Sequence, residues 1–304
     1  MKYITDTLDF ALERRSAVTL GKFDGLHRGH RKLVKRILEI GKDGFETVIF
    51  TFDVSPLERL GKGPGGMLLT PSERAQMAKD LGIDCMIACP FNQEVRNMEA
   101  ELFIKEILAE QLRAAYVVVG PDFRFGYQRR GTPQLLREMG GRLGFQVEVL
   151  SKEEQEGCPI SSSWVREALQ RGDMPLVEKL LGYTYSFRGN VVHGRQLGRR
   201  MGFPTINMIP DRQKLLPPFG VYLSRVRIRG RDYNGISNLG SKPTVDGSFV
   251  GLETYLYDCQ EDLYGADAQV SLLRMMRPEQ KFAGVEALRE QLAQDIRRGK
   301  EFFQ

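Results

Sequence analysis

The stretch Ala17-Val18-Thr19-Leu20-Gly21-Lys22-Phe23-Asp24-Gly25-Leu26-His27-Arg28-Gly29-His30 decides the fold. An apolar run suited to a buried strand enters a glycine-bearing turn. The turn leads into residues 31–40, where Leu33, Ile37 and Leu38 share a helical stripe. Such a handover leaves free backbone N–H groups at a helix N-terminus, where a phosphate can approach. Two of the chain's three histidines sit there, three residues apart, so both imidazoles fall near one face of the first turn. Donors beside a phosphate stabilise a phosphoryl group that gains charge in a transition state. These residues predict nucleotidyl transfer, with His27 and His30 as donors. Asp24 either orients a histidine or contacts the nucleotide.

Outward from this turn, Ala17–Leu20, Thr47–Phe52, Cys85–Ala88, Tyr116–Val119 and Gln146–Leu150 read as strands. Between them lie helical patterns: Pro71–Leu81 with Thr70 as N-cap, and Ala100–Leu112 with Leu102, Ile104, Ile107 and Leu108 in one stripe. The alternation predicts a parallel sheet covered by helices, with ligands at the carboxyl ends of the strands. After Gly182 the rhythm changes. Tyr185–Val192, Gly220–Ile228, Tyr233–Asn238, Leu252–Tyr257 and Ala268–Leu273 read as closely spaced strands, which predicts an antiparallel barrel. A last helix over Gly284–Arg298 carries Val285, Leu288, Leu292 and Ile296. At 304 residues two cores are expected, with the boundary near Gly182.

The formal charge of +5 comes from basic residues spread along the chain, so anionic small substrates explain it and nucleic acid is not expected as a partner. No apolar run spans a bilayer and no leader opens the chain, which predicts a cytoplasmic protein without a membrane partner. Cys85, Cys89, Cys158 and Cys259 lack metal-ligand spacing and read as free thiols, the first two as buried packing residues. Arg227, Arg229 and Arg231 read as a solvated face.

The run from Gly21 to His30 resembles the His-x-Gly-His signature of the nucleotidylyltransferase superfamily, and in its longer form that of bacterial bifunctional riboflavin kinase/FAD synthetases. Val119-Gly120-Pro121-Asp122-Phe123-Arg124-Phe125-Gly126 and Ile160-Ser161-Ser162-Ser163-Trp164-Val165-Arg166 resemble that family's N-terminal module. Val191-Val192-His193-Gly194 through Gly198-Arg199, then Gly202-Phe203-Pro204-Thr205-Ile206-Asn207, resemble its riboflavin kinase module. The resemblance implies a Rossmann-like α/β FMN adenylyltransferase domain over residues 1–182 and an antiparallel β-barrel riboflavin kinase domain over residues 183–304. It implies a bifunctional enzyme that uses ATP with Mg2+ to convert riboflavin to FMN and FMN to FAD.

By the same resemblance Gly21, Phe23, Asp24 and Gly29, with Ser161, Ser162, Ser163 and Arg166, hold ATP phosphates in the first module. The serines read equally well as a plain helix cap. Asp122, Phe123 and Phe125 occupy the family's flavin pocket, although as bare sequence they fit a strand-end turn with core aromatics. In the second module Gly194, Gly198, Arg199, Gly202 and Pro204 fall in the phosphate loop, Thr205 and Asn207 hold the metal, and Glu253 is the general base. Asn238–Thr244 and Arg277–Phe282 help shape its flavin pocket. One departure stands out: Ser55 occupies the place of a family histidine, and Lys22, Arg28 or Lys62 could supply the missing charge. Two other readings stay open, a riboflavin kinase with a regulatory N-terminal module and a flavin- or RNA-binding regulator without turnover.

Overall fold

The computed structural model describes residues 1–53, 65–194, 202–244 and 247–304, in two compact units, Met1–Ser162 and Ser163–Gln304. In the first, β1 (Lys2–Thr5), β2 (Ser16–Leu20), β3 (Glu46–Phe52), β4 (Cys85–Cys89), β5 (Ala114–Val119) and β6 (Gln146–Val149) form a sheet in the order β1-β4-β3-β2-β5-β6. Every pairing in it is parallel. β2 and β4 are buried along their whole length, as strands covered on both faces must be. β1 went unanticipated because an edge strand carries a weak apolar signal, and its first two residues are exposed.

Helix α1 (Arg28–Gly41) buries Val34, Ile37 and Ile40, so Leu33 and Leu38 flank the buried stripe. Helix α2 (Pro71–Asp80) starts on Thr70, whose hydroxyl accepts from the Glu73 N–H while the Glu73 carboxylate accepts from the Thr70 N–H. A short α3 (Gln93–Asn97) follows β4. Where one regular helix was expected over residues 100–112, α4 (Ala100–Leu102) passes into a π-helix, Phe103–Gln111. The wider turn still puts Phe103, Ile104, Ile107 and Leu108 into the core but leaves Leu102 exposed. α5 (Pro133–Leu143) precedes β6, and a small hairpin, β7 (Glu154–Gln155) with β8 (Cys158–Pro159), follows it.

Helices α6 (Ser162–Gln170) and α7 (Met174–Leu181) come next, and Gly182 ends α7 in the left-handed region at φ 77°. The second sheet contains β9 (Ser186–Asn190), β10 (Thr205–Met208), β11 (Gly220–Ile228), β12 (Arg231–Thr244), β13 (Gly247–Leu256) and β14 (Asp267–Pro278). Their order is β10-β13-β12-β11-β14-β9, all antiparallel. Beyond β9 the chain meets the other edge at a bridge between Val192 and Asn207, where the Val192 N–H donates to the Asn207 carbonyl at 2.8 Å. The sheet therefore curls into the expected barrel.

One face of this barrel carries a fully buried hydroxyl cluster: Ser237 Oγ lies 2.8 Å from Ser224 Oγ and 2.7 Å from Thr254 Oγ1. The opposite face packs Val221, Leu223, Ile236 and Tyr257 against Ile296 of α8 (Val285–Phe302) and Phe303. Arg277 clamps α8 through Asp295, which is 1% exposed and also accepts from Gln291. Val285, expected in the apolar stripe, is 66% exposed.

Candidate active sites

In the first unit the turn after β2 is wound through unusual backbone. Phe23 at φ 49°, Gly25 at 79° and Leu26 at 37° all lie in the left-handed region, and only glycine adopts it without strain. The return is burial: Phe23 and Leu26 are fully covered, and the chain arrives at His27 in extended conformation, ready to cap α1. His27 Nδ1 accepts from the His30 N–H at 3.4 Å, which leaves the proton of the neutral ring on Nε2, a donor. The two imidazoles stack at 3.7 Å between centroids and 20° between planes, with Phe23 at 5.1 Å from His30. Gly29 permits this, since a Cβ there would lie 3.2 Å from the His27 ring.

Burial pushes the His27 imidazole down to about 4 against a small opposing pull from the Asp24 carboxylate. His30 is likewise held well below the usual range by burial and by His27, and its Nδ1 is covered with no hydrogen-bond partner among the described residues. Both rings are neutral at pH 7. Because the unfolded chain protonates near 6.5 and the native His27 only near 4, stability should fall as pH drops through that window, by about 3 kcal/mol for His27. Urea unfolding of the native protein and of His27→Asn at pH 7.5, 5.5 and 4.5 checks this: the variant should show the shallower decline.

Asp24 braces the turn, Oδ1 accepting from the Leu68 N–H at 2.9 Å while its carbonyl accepts from Ser162 Oγ at 3.0 Å. Arg74, only 6% exposed, donates to the carbonyls of Lys22 and Phe52 at the carboxyl ends of β2 and β3. The sequence offered no signal for it, because an arginine on a helix reads as solvated. Gly21 sits 3.2 Å, at its absent Cβ, from the Phe23 ring. Ser161 precedes α6; Ser163 and Arg166 lie on that helix in the second unit, with Arg166 9% exposed. Arg28 is bonded to Glu153 and Gln155. Ser55 and Lys62 lie outside the described residues.

At the end of β5, Asp122 is paired with Lys152 at 2.9 Å, and that hydrogen bond holds its carboxyl below the usual range. Phe123 is partly exposed and stacks on Phe125 at 5.5 Å and 18°. Phe125 is 9% exposed, packed on Phe103 and against Gly131. Cys85 and Cys89 are buried, and burial raises their thiols to about 11 and about 12. All four cysteines are free, and the described residues hold no cluster of three or more metal-ligating His, Cys, Asp or Glu side chains.

In the second unit strand register assembles the predicted residues. Asn207 on β10 and Asn238 on β12 both stand opposite Glu253 on β13. Directly paired residues share a face, so Asn207, Glu253 and Asn238 form one row, on the face that α8 covers elsewhere. Thr205, two residues from Asn207, belongs to the same face. Asn207 packs its amide against Gly194, where a Cβ would come within 2.6 Å. Pro204, Thr205 and Asn207 line a cleft together with Glu261, Asp262 and Tyr264. The Tyr264 ring stacks on His193 at 3.7 Å. The Glu279 carboxylate lies over Gly240, in the space a Cβ would need. Gly202 is in the left-handed region at φ 87°, whereas Gly198 and Arg199 lie outside the described residues. Arg227, Arg229 and Arg231 are exposed, as expected.

Residues 9–164 match the FAD synthetase family and residues 181–303 the riboflavin kinase family. The Escherichia coli K12 protein named bifunctional riboflavin kinase/FMN adenylyltransferase is 37% identical over 299 residues, covering 97% of this chain and 95% of that one. A Haemophilus influenzae protein of the same name is 33% identical, with 94% of each chain covered. A Streptococcus pneumoniae crystal structure described as a macrolide-efflux protein has a TM-score of 0.86 at 29% identity, with 97% of each chain covered. Among the described residues of this chain no helix is long and apolar enough to cross a membrane. Two family matches in series, and relatives aligned along nearly the whole length, place the chain in the bifunctional riboflavin kinase/FMN adenylyltransferase family.

Proposed function

We infer that this chain phosphorylates riboflavin to FMN in its second module and adenylylates FMN to FAD in its first, with ATP as donor in both steps. The observation that carries the reading is the presence, in one chain, of the stacked His27–His30 pair and of the Asn207–Glu253–Asn238 row. In the first module an FMN phosphate oxygen attacks the α-phosphorus of ATP and pyrophosphate leaves. His27 Nε2–H donates to phosphate oxygens as charge builds on them, and the neutral stacked pair adds no repulsion of its own. Ser161 and Ser162, in the same unit, add hydroxyls to the phosphate contacts. The partly exposed Phe123 offers a ring face to the flavin, with Phe125 supporting it from behind and Asp122 at its edge.

In the second module Glu253 takes the proton of the riboflavin hydroxyl while that oxygen attacks the γ-phosphorus, and ADP leaves. Thr205 and Asn207 present hydroxyl and amide oxygens on one face, the donor type a hard cation takes, and so suit Mg2+ carried with ATP. Bound there, the cation would neutralise phosphate charge. Gly194, Gly202 and Pro204 border the same phosphates, and the family resemblance assigns Gly198 and Arg199 to the same loop. The second module is taken to begin after Gly182, because the riboflavin kinase match starts at residue 181 and Gly182 closes α7. The cytoplasm supplies all three substrates, riboflavin, FMN and ATP.

Pure protein incubated with riboflavin, ATP and Mg2+ should accumulate FAD and release pyrophosphate, read by separating the flavins. FMN as the end product would make the first module regulatory, and unchanged riboflavin would make the chain a binder.

A further inference from the structure

Lys242 stands on the same face as Glu253. On β12 the alternate residues Asn238, Gly240 and Lys242 pair with Glu253, Gly251 and Phe249 of β13. Lys242 is thus four residue pairs along the ladder from Glu253, two of them on this face, yet its Nζ lies 3.2 Å from Glu253 Oε2. It gets there by laying its stem across Gly251: a Cβ at that position would fall 2.8 Å from Lys242 Cγ and 3.4 Å from Cε. Even alanine at 251 would lift the stem. The lysine side chain is 19% exposed and the glutamate 36%, so the pair is partly shielded, unlike an ordinary surface pair. Among the described residues Oε2 is held by this contact alone and Oε1 has no partner, which leaves one carboxylate oxygen to take a proton.

We propose that Lys242, seated over Gly251, is a positioning residue that fixes the Glu253 carboxylate by one oxygen so that the other accepts the proton of the substrate hydroxyl. The inference rests on Glu253 being the general base. A mobile carboxylate would sample the reactive placement only part of the time, and misplacement of about 1 Å costs up to 100-fold. The lysine does not touch the reacting atoms, so its loss should appear in kcat and not in binding.

The experiment uses the full chain, with FMN adenylylation by the same preparation as internal reference. Lys242→Met should lower kcat for riboflavin phosphorylation about 10-fold, with KM for riboflavin and for ATP within about twofold, and Lys242→Arg should restore most of the rate. Gly251→Ala should lower kcat to a similar degree, and adding it to Lys242→Met should cost nothing further, because both remove the same contact. An unchanged kcat in Lys242→Met overturns the proposal, as does a raised KM for ATP at retained kcat, which would make the lysine a nucleotide contact. Multiplying losses in the double variant overturn it too. Glu253→Gln run alongside separates the two layers: a loss there with Lys242→Met unaffected sinks only the positioning role, whereas no loss there removes the general base and the proposal with it.

Discussion

Glu253→Gln is expected to lower riboflavin phosphorylation by about 100- to 10,000-fold, the usual worth of a general base, while FAD formation from supplied FMN stays within about twofold. Glutamine keeps the volume and the strand, so β13 still pairs with β10 and β12 and the row opposite Asn207 and Asn238 survives. What goes is the ability to hold a proton as the hydroxyl oxygen attacks. Adenylylation involves a phosphate nucleophile that needs no deprotonation, and so should be indifferent. Separate assays of the two half-reactions on one preparation decide the matter, and an undiminished kinase rate would remove Glu253 from the chemistry.

His27→Asn should do the reverse, cutting adenylylation about 100- to 1,000-fold, the range for loss of one donor to a charged transition state, and leaving riboflavin phosphorylation intact. The choice of asparagine matters. His27 caps α1 by accepting from the His30 N–H, and replacing a capping residue by alanine costs about 1 kcal/mol of helix stability, confounding activity with folding. Asparagine is among the best capping residues and keeps the acceptor while removing the imidazole donor. A variant that unfolds like the native protein at pH 7.5 yet forms FAD normally would show that the stacked pair serves the fold alone.

The fold was legible wherever the apolar signal was strong: the βαβ rhythm, the N-cap at Thr70 and the change of pattern after Gly182 all reappear in the structure. It failed where burial is partial or the backbone departs from its ordinary period. β1 is a half-exposed edge, and the π-helical turns at Phe103–Gln111 carry Leu102 out to solvent. For the sites, motif residues could be named one by one, but the row of Asn207, Glu253 and Asn238 depends on strand register, which no single segment encodes. Arg74, and the partnership of Lys242 with Glu253, were invisible for a different reason. A long cationic side chain in a helix or strand reads as solvated, and only the packing reveals that one is buried under two carbonyls and the other laid across a glycine.

The barrel's seam lies at the kinase site. Most neighbouring strands in the second sheet share long ladders, yet among the described residues its two edges meet at the Val192–Asn207 bridge, and Asn207 also faces Glu253. Parting a seam of this kind costs the net worth of a hydrogen bond or two, on the order of 1 kcal/mol each, far below global unfolding. Breathing of the barrel and exposure of the Asn207 backbone are therefore one motion, and the Val192 amide is placed to exchange its hydrogen through that local opening long before the ladders between β11 and its neighbours give way.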